Sequence, residues 1–216
     1  MDKHRSWPDL LYCTRTLKLL KLFYVPAFVF QFYAHKKYEF TSDVEPQDNR
    51  PHGWTIPLNT TFPNIPDDDV IVSAEQRDSL KKDLQFQMMK LFRMHNLPDK
   101  FTYKDFWYNI YHENQGQEQH THLRGTTGIC PYWSGIYYYR GISQTLFHRP
   151  DVLNRVHRLP LRDSSELFEY NSDYYKPTLG PGDVILFPPY VQHSVESLPS
   201  DKMRMTFSFN IELHHE

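Results

Sequence analysis

The sequence predicts a mainly β protein of the α+β class, an antiparallel sandwich or jelly roll with one supporting helix on its N-terminal side. Tyr, Phe and Trp make up 16% of the chain, and such residues favour pleated, half-buried surfaces. After Pro98 the apolar residues recur with a period of two, in short runs separated by turns that contain Gly or Asn. Several short strands of this kind are typical of such a fold. Before Pro98 one segment has the helical period instead.

The first patterned segment is the apolar stretch at residues 19–34. Lys21, Pro26 and Gln31 interrupt it, and it is shorter than the roughly 20 residues that cross a bilayer. No small-residue cleavage site follows it, so it does not resemble a cleaved leader. We therefore expect a strand pair or an extended packing segment at the edge of the β core, and no membrane association.

Residues 45–69 contain five prolines with Asp, Asn and Gly between them. Because proline lacks the backbone N–H and fixes φ, this spacing predicts a long surface loop without regular structure.

Residues 73–95 are the predicted helix. Ser73 and Gln76 have the spacing of a capping box, while Asn96 and Pro98 follow at the end. The apolar residues of the segment form one stripe at helical spacing, which predicts packing against the outside of a sheet. They are Leu80, Leu84, Met88, Leu91 and Phe92.

The predicted strands of the second half lie at residues 101–112, 134–140, 167–171, 183–187 and 203–213. The length of 216 residues is within the range of one domain. We expect a single domain over residues 1–216, in which 1–100 form an N-terminal extension, the proline-rich loop and the helix, and 101–213 form the jelly-roll core.

Charge and cysteine content limit the function classes. Lys plus Arg is 24 and Asp plus Glu is 26, which gives a formal net charge of −2. There is no basic excess to neutralise phosphates, so we expect no nucleic-acid partner. Two cysteines are too few for a disulfide framework, which favours a reducing, cytoplasmic setting.

Three histidines form the candidate metal site. His120 and His122 are two residues apart, so on a strand their side chains point to the same face, and Glu118 shares that parity. His193 follows a Gly-Pro-Gly-Asp turn and an apolar strand, and could supply a third ligand from the opposite wall.

Arg204 is the candidate anchor for a carboxylate. On a strand it shares a face with Thr206 and Ser208. A guanidinium beside a hydroxyl suits a carboxylate, because arginine offers a fixed bidentate fork. Three imidazoles with an arginine deeper in the barrel are the layout of a mononuclear, non-haem Fe(II) site whose open positions bind a keto acid and oxygen.

These motifs resemble the 2-oxoglutarate/Fe(II)-dependent oxygenase superfamily. The resemblance covers residues 103–213, and it is similar in particular to those members that have a His-x-His, an SGxYY strand, a G-x-hydrophobic-FP turn and an RxSxxFN ending. In this sequence the pattern is carried by His120-Thr121-His122, the SGIYY run at 134–138, the PGDVILFP run at 181–188, His193 and the RMTFSFN run at 204–210.

The resemblance implies a double-stranded β-helix, that is, a cupin-like jelly roll. It implies that Fe(II) is held by His120, His122 and His193, and that 2-oxoglutarate is held by Arg204 with help from Thr206. By analogy Tyr138 is the tyrosine that would touch the keto acid. With O2 as second cosubstrate, the expected outcome is hydroxylation of a C–H bond in a small molecule or peptide, with no catalytic residue beyond the metal site.

One position departs from the superfamily, whose usual motif is His-x-Asp or His-x-Glu. Three readings stay open. Iron could be held by three histidines; Glu118 could be the carboxylate, with His122 beside the site; or a halide could take an unfilled ligand position, as in the superfamily's halogenases. Two other functions also stay open, namely a three-histidine cupin-type dioxygenase or isomerase without cosubstrate, and a jelly-roll binding module without catalysis.

Overall fold

The structure is a computed structural model that describes residues 18–22, 25–41, 45–123, 130–149, 173–197 and 203–214. The described part contains one α-helix, α1 (Ala74–Met94), and a short 3-10 helix at His35–Lys37. Its strands are β1 (Lys18–Leu22), β2 (Val25–Gln31), β3 (Asn59–Thr60), β4 (Phe101–Tyr111), β5 (Gln117–His120), β6 (Trp133–Arg140), β7 (Thr145–His148), β8 (Tyr174–Tyr175), β9 (Asp183–Phe187), β10 (His193–Val195) and β11 (Arg204–Leu213).

The strands form two antiparallel sheets. The larger has the order β1-β2-β9-β6-β11-β4-β3, and the smaller has the order β5-β10-β7-β8. The predicted mainly β fold with one N-terminal supporting helix is confirmed. The predicted strands at 101–112, 134–140, 183–187 and 203–213 match β4, β6, β9 and β11 within one residue at each end. The predicted strand at 167–171 lies outside the described residues.

Helix α1 covers the outer face of the large sheet. The Ser73 Oγ accepts from the Gln76 backbone N–H, and the Gln76 side chain accepts from the Ser73 N–H, so the predicted capping box is present. The predicted apolar stripe is buried and packs in one cluster with strand residues such as Phe106, Phe207 and Phe209. This packing leaves the opposite face of the large sheet for the interior between the sheets.

The inner face of the large sheet carries polar residues at its centre. On β11 the residues of this face alternate with the aromatic residues that pack under α1. They are Arg204, Thr206, Ser208 and Asn210. A second, smaller apolar cluster fills the space beside them, and it includes Tyr138, Phe147 and Phe187. The site therefore lies between the two sheets.

The N-terminal predictions have mixed outcomes. Residues 19–34 contain the predicted strand pair, because β1 and β2 pair antiparallel and β1 lies at the sheet edge. The prediction of a loop without regular structure at 45–69 is wrong at Asn59–Thr60, since β3 pairs with β4 there. No helix among the described residues is long and apolar enough to cross a membrane.

Candidate metal centre

The site contains three imidazole rings that lie side by side, those of His120, His122 and His193. Their centroids are 4.2 Å apart for His120 and His193, 4.9 Å for His122 and His193, and 5.6 Å for His120 and His122. One nitrogen from each ring lies within 4.8 Å of the corresponding nitrogen of the others. The structure thus brings together the three histidines that the sequence singled out.

The route by which they meet differs from the prediction. His120 is the last residue of β5 and His193 the first of β10, and the two are direct cross-strand partners in the small sheet. The expectation that His193 lies on an opposite wall is therefore wrong. His122 lies two residues beyond the end of β5, where its N–H donates to the Pro189 carbonyl. It reaches towards the large sheet, so the site spans the interior.

All three imidazoles are oriented through Nδ1. His120 Nδ1 lies 2.7 Å from the Glu118 carbonyl oxygen, and His193 Nδ1 lies 3.1 Å from that of Val191. A carbonyl oxygen only accepts, so each Nδ1 carries the proton and donates it. Each Nε2 then keeps a lone pair, which is how an imidazole is fixed for a metal by its neighbours.

The third imidazole is fixed by a buried polar chain. Asn210 Nδ2 donates to Asp105 Oδ2 at 2.8 Å, so its Oδ1 faces the other way, towards His122 Nδ1 at 2.8 Å. The Ser134 hydroxyl donates to the same oxygen at 2.8 Å. An amide oxygen only accepts, hence His122 also donates from Nδ1 and leaves Nε2 bare. Sequence reasoning missed Asp105 and Ser134, because only the register of β4 and β6 against β11 places them beside Asn210.

Burial favours the neutral form of His193 and His120. His193 is 2% exposed, and burial, with the neighbouring imidazoles, holds its pKa well below the usual value. Burial also lowers the pKa of His120. Neutral imidazole is the form that binds a metal ion.

Glu118 does not face this cluster. Its Oε1 accepts from the Thr55 hydroxyl at 2.6 Å, from the Thr55 N–H and from the Ile56 N–H at 3.1 Å. These bonds hold the pKa of the carboxyl below its usual value. Glu118 therefore fastens the proline-rich loop to β5, and it is the His122 ring that lies with the rings of His120 and His193.

A narrow cavity of about 20 Å³ connects the histidines with Arg204. Its walls come from both sheets, and they include the three histidines together with Tyr138, Arg204, Thr206 and Ser208. The side chains predicted to bind metal and those predicted to bind a keto acid thus line one continuous space.

Arg204 is held in place without a carboxylate. Its Nη2 donates to the carbonyl oxygens of Gln115 and Glu196, each at 3.2 Å, and its guanidinium lies 4.9 Å from the centre of the Tyr111 ring. Burial lowers its pKa, while the charges of Tyr111 and Glu196 oppose the shift. Within the described ranges no acidic side chain forms an ion pair with it. A partly buried cation of this kind is suited to an anionic ligand.

Gly141 makes room for this arginine. A Cβ at Gly141 would lie 2.7 Å from Arg204 Cγ, and the backbone there has a φ of +82°, which favours glycine.

Tyr138 lies beside the arginine strand, because it is the cross-strand partner of Thr206. Its hydroxyl donates to Thr145 Oγ1 at 2.9 Å, and burial raises its pKa to about 12. It is therefore a neutral phenol at the wall of the cavity.

A second cavity lies on the other side of the histidines. It has a volume of about 260 Å³ and shares His120 and His122 with the first. The proline-rich loop supplies much of its wall through Trp54, Leu58 and Phe62. The sequence predicts a surface loop here, but it does not indicate which residues of the loop face the site.

The donor set fits Fe(II). Imidazole nitrogen is a ligand that iron accepts readily, and a cluster that supplies three such nitrogens leaves positions for other ligands. The buried hydrogen bonds on the far side of each ring are the support that histidine ligands normally have.

Comparison with known proteins agrees with this site. Residues 105–210 match the model of the family described as "Putative 2OG-Fe(II) oxygenase". No curated protein sequence matches the chain. HygX from Streptomyces hygroscopicus, crystallised with nickel, 2-oxoglutarate and hygromycin B, has a TM-score of 0.51 at 12% identity, over 96% of this chain and 88% of HygX, which shows a shared fold.

A second solved structure is an oxidoreductase of the 2OG-Fe(II) oxygenase family from Burkholderia pseudomallei. It has a TM-score of 0.46 at 10% identity, over 88% of this chain and 68% of that protein. The fold, the three-histidine cluster and the family pattern over residues 105–210 agree with one another. Residues 105–210 of the chain therefore carry the sequence pattern of the 2-oxoglutarate/Fe(II)-dependent oxygenase superfamily, on a fold shared with HygX.

Proposed function

We propose that this protein is a non-haem Fe(II) dioxygenase that couples the decarboxylation of 2-oxoglutarate to hydroxylation of a C–H bond. The observation that carries the proposal is the single cavity that joins three Nε2 donors to a partly buried arginine with no carboxylate partner among the described residues. A metal-binding end and an anion-binding end in one space are what a metal-chelating keto acid requires.

Each residue has a role in this proposal. His120, His122 and His193 hold Fe(II) through Nε2, and their Nδ1 bonds keep the rings in place. Arg204 binds the distal carboxylate of 2-oxoglutarate, and Thr206 and Tyr138 lie beside it to accept or donate further hydrogen bonds. Arginine is the better residue here because its planar fork pairs with both carboxylate oxygens.

The iron, when bound, supplies the redox chemistry that couples oxidative decarboxylation of 2-oxoglutarate to oxidation of a substrate C–H bond, with succinate and CO2 as coproducts. The chain itself orients the ligands and keeps the interior dry. The buried walls of the cavity, such as Ile136 and Val195, exclude bulk water from the reacting atoms.

The direct test is anaerobic mixing of the purified protein with Fe(II) and 2-oxoglutarate. We expect a weak visible charge-transfer band that saturates with 2-oxoglutarate, and release of succinate once oxygen and a substrate are added. Absence of the band together with no keto-acid binding in a titration would refute the proposal.

The rival with a specific observation in its favour is a three-histidine, cupin-type dioxygenase without cosubstrate. Glu118 is bound to the loop, so only neutral nitrogens converge on the site within the described residues. That reading gives Arg204 no role. Oxygen uptake with substrate but without 2-oxoglutarate would favour it.

We propose a small-molecule or peptide substrate and no nucleic-acid partner, on the near-neutral charge of the chain. A cytoplasmic setting rests on its low cysteine content.

A further inference from the structure

The cavity beside the histidines differs from the Arg204 cavity in chemistry. Its walls contain no Lys, Arg, Asp or Glu among the residues that the structure describes. Three of its walls are aromatic rings, from Trp54, Phe62 and Trp107. A few neutral polar groups complete it, such as Thr60, Gln117 and Asn210.

The aromatic walls are held in fixed positions next to the histidines. The Trp54 ring lies 5.1 Å from the His120 ring, and the Trp107 ring lies 5.6 Å from the His122 ring. Phe62 stacks edge-on against Trp107 at 5.0 Å. A group that occupies this space therefore touches the rings of two proposed iron ligands.

The loop that carries Trp54 and Phe62 is fixed to the core at several points. The Glu118 carboxylate accepts from the backbone N–H groups of Thr55 and Ile56, and the Gly116 N–H donates to the Pro57 carbonyl. Further along, Asn59–Thr60 pairs with β4. The cavity is thus preformed, which reduces the entropy that a ligand has to lose from the loop on binding.

Size and polarity restrict what fits. A cavity of about 150 Å³ lined by apolar side chains can hold benzene, so about 260 Å³ accommodates one ring with substituents. Three neutral imidazoles would leave the full divalent charge of the iron in place. That charge opposes a cationic group, although aromatic walls alone could attract one.

We propose that the substrate presents an uncharged aromatic or alicyclic ring to this cavity, between Trp54, Phe62 and Trp107. This inference rests on the proposed function, because it takes the three histidines as the iron site. The ring's C–H bonds, or those of a short substituent, would lie nearest to the metal.

The test uses three para-substituted fluorobenzenes of different charge, namely 4-fluorophenol, 4-fluorobenzylammonium and 4-fluorobenzoate. Binding is measured by 19F relaxation with protein loaded with Co(II) and with Zn(II), in the presence of 2-oxoglutarate. We expect saturable broadening of 4-fluorophenol that is stronger with Co(II), because the paramagnetic ion relaxes nearby fluorine. 4-Fluorobenzylammonium should bind at least about tenfold more weakly, because the charge of the metal repels it. 4-Fluorobenzoate should also bind more weakly, because its carboxylate loses hydration beside described walls that hold no Lys or Arg.

Variants locate the probe. Trp54→Ala and Phe62→Ala should each weaken 4-fluorophenol binding about tenfold, since each removes one aromatic wall. Both side chains are partly exposed, with Phe62 at 44%, so the fold should persist. Phe86→Ala is the matched control, because Phe86 is an exposed phenylalanine (61%) on α1 away from the cavity.

Tighter binding of 4-fluorobenzylammonium would overturn the inference in favour of a cation-binding aromatic cage. Binding of 4-fluorophenol that is unchanged in both variants would place it elsewhere and also overturn the inference. The charge-transfer band tests the proposed function independently of probe binding. If that band is absent while 4-fluorophenol still broadens in a Trp54-dependent way on metal-free protein, the cavity assignment stands and the proposed function fails.

Discussion

The guanidinium of Arg204 is a cation whose hydrogen-bond partners in the described structure are two backbone carbonyls. A carboxylate that pairs with it gains charge-assisted hydrogen bonds, which are worth roughly 1.5–3 kcal/mol each. Arg204→Ala removes both bonds of the fork and should therefore raise the Kd for 2-oxoglutarate by more than about 100-fold. Titration of the anaerobic charge-transfer band measures this Kd.

Arg204→Lys should recover part of the affinity, since an ammonium keeps the charge but not the bidentate fork. Arg93→Ala is the control, because Arg93 is an exposed arginine near the end of α1. An unchanged requirement for 2-oxoglutarate in Arg204→Ala would remove the assignment of this residue.

Asp105 acts on the metal site through two hydrogen bonds. It is 4% exposed and fixes Asn210, which in turn fixes the His122 ring. Asp105→Asn keeps the size of the side chain, but an amide at this position can donate as well as accept. Asn210 then no longer has to point its NH2 group at residue 105 and its Oδ1 at His122. We expect a 10- to 100-fold loss of metal affinity, the usual effect of losing such support.

Metal affinity is measured by competition with a chromophoric chelator, which does not depend on turnover. Asp68→Asn, at an exposed loop position, serves as the control. Equal metal affinity in Asp105→Asn and the wild type would mean that the hydrogen bonds from Asp105 through Asn210 to His122 do not support metal binding.

The sequence predicted the residues of the site more accurately than the strand pairing that brings them together. The His-x-His spacing, the glycine turn before His193 and the strand parity of Arg204 and Thr206 are local signals, and all five side chains line one cavity. Asp105 carries no such signal. Its role depends on lying opposite Asn210 across two strands that are far apart in sequence.

At the scale of elements, helix α1 was predictable because its start is encoded locally. Ser73 and Gln76 satisfy free N–H groups at its first turn, and no distant contact is needed to place that end. The pairing of β5 with β10 is different, because it joins residues more than seventy positions apart. Its register, and hence the contact of His120 with His193, follows from the closure of the barrel and is not visible in either segment.

The short 3-10 helix after β2 contains a pH-sensitive contact. His35 Nδ1 lies 2.7 Å from the Tyr137 hydroxyl, and its ring also contacts Tyr139. Burial, followed by the charge of Lys36, lowers the pKa of His35 below its usual value, while Asp183 opposes the shift. A neutral ring can accept the hydrogen bond of Tyr137 at Nδ1, whereas a protonated ring can only donate to that hydroxyl.

The sign of the pH dependence follows from the lowered pKa. Above about pH 6.5 the folded and unfolded chains both keep this histidine neutral. As the pH falls below that value the unfolded chain takes up a proton that the folded chain resists, so this contribution to stability is lost. His35→Asn keeps an acceptor without the titration. Its Tm should fall less than that of the wild type between pH 7 and 5, and parallel curves would contradict this.

At the scale of the whole molecule, the two sheets meet at the histidines. His120 and His193 belong to the small sheet, whereas the residues that fix His122 belong to the large one. A metal ion at this point would therefore cross-link the two layers of the sandwich. The organisation of residues 1–216 as one domain stays a prediction. A cross-link between the two sheets would stabilise the folded core against unfolding.

Metal binding should therefore raise the melting temperature. A ligand that binds only the folded state at 100 times its Kd adds about 2.7 kcal/mol, and for a chain of this size that corresponds to roughly 5–10 °C. Scanning calorimetry of the anaerobic protein with and without Fe(II) measures the shift. His193→Ala removes the ligand that pairs directly with His120, so its shift should be near zero, while His214→Ala, at an exposed position after β11, should keep it. An equal shift in His193→Ala would mean that iron stabilises the fold from another place.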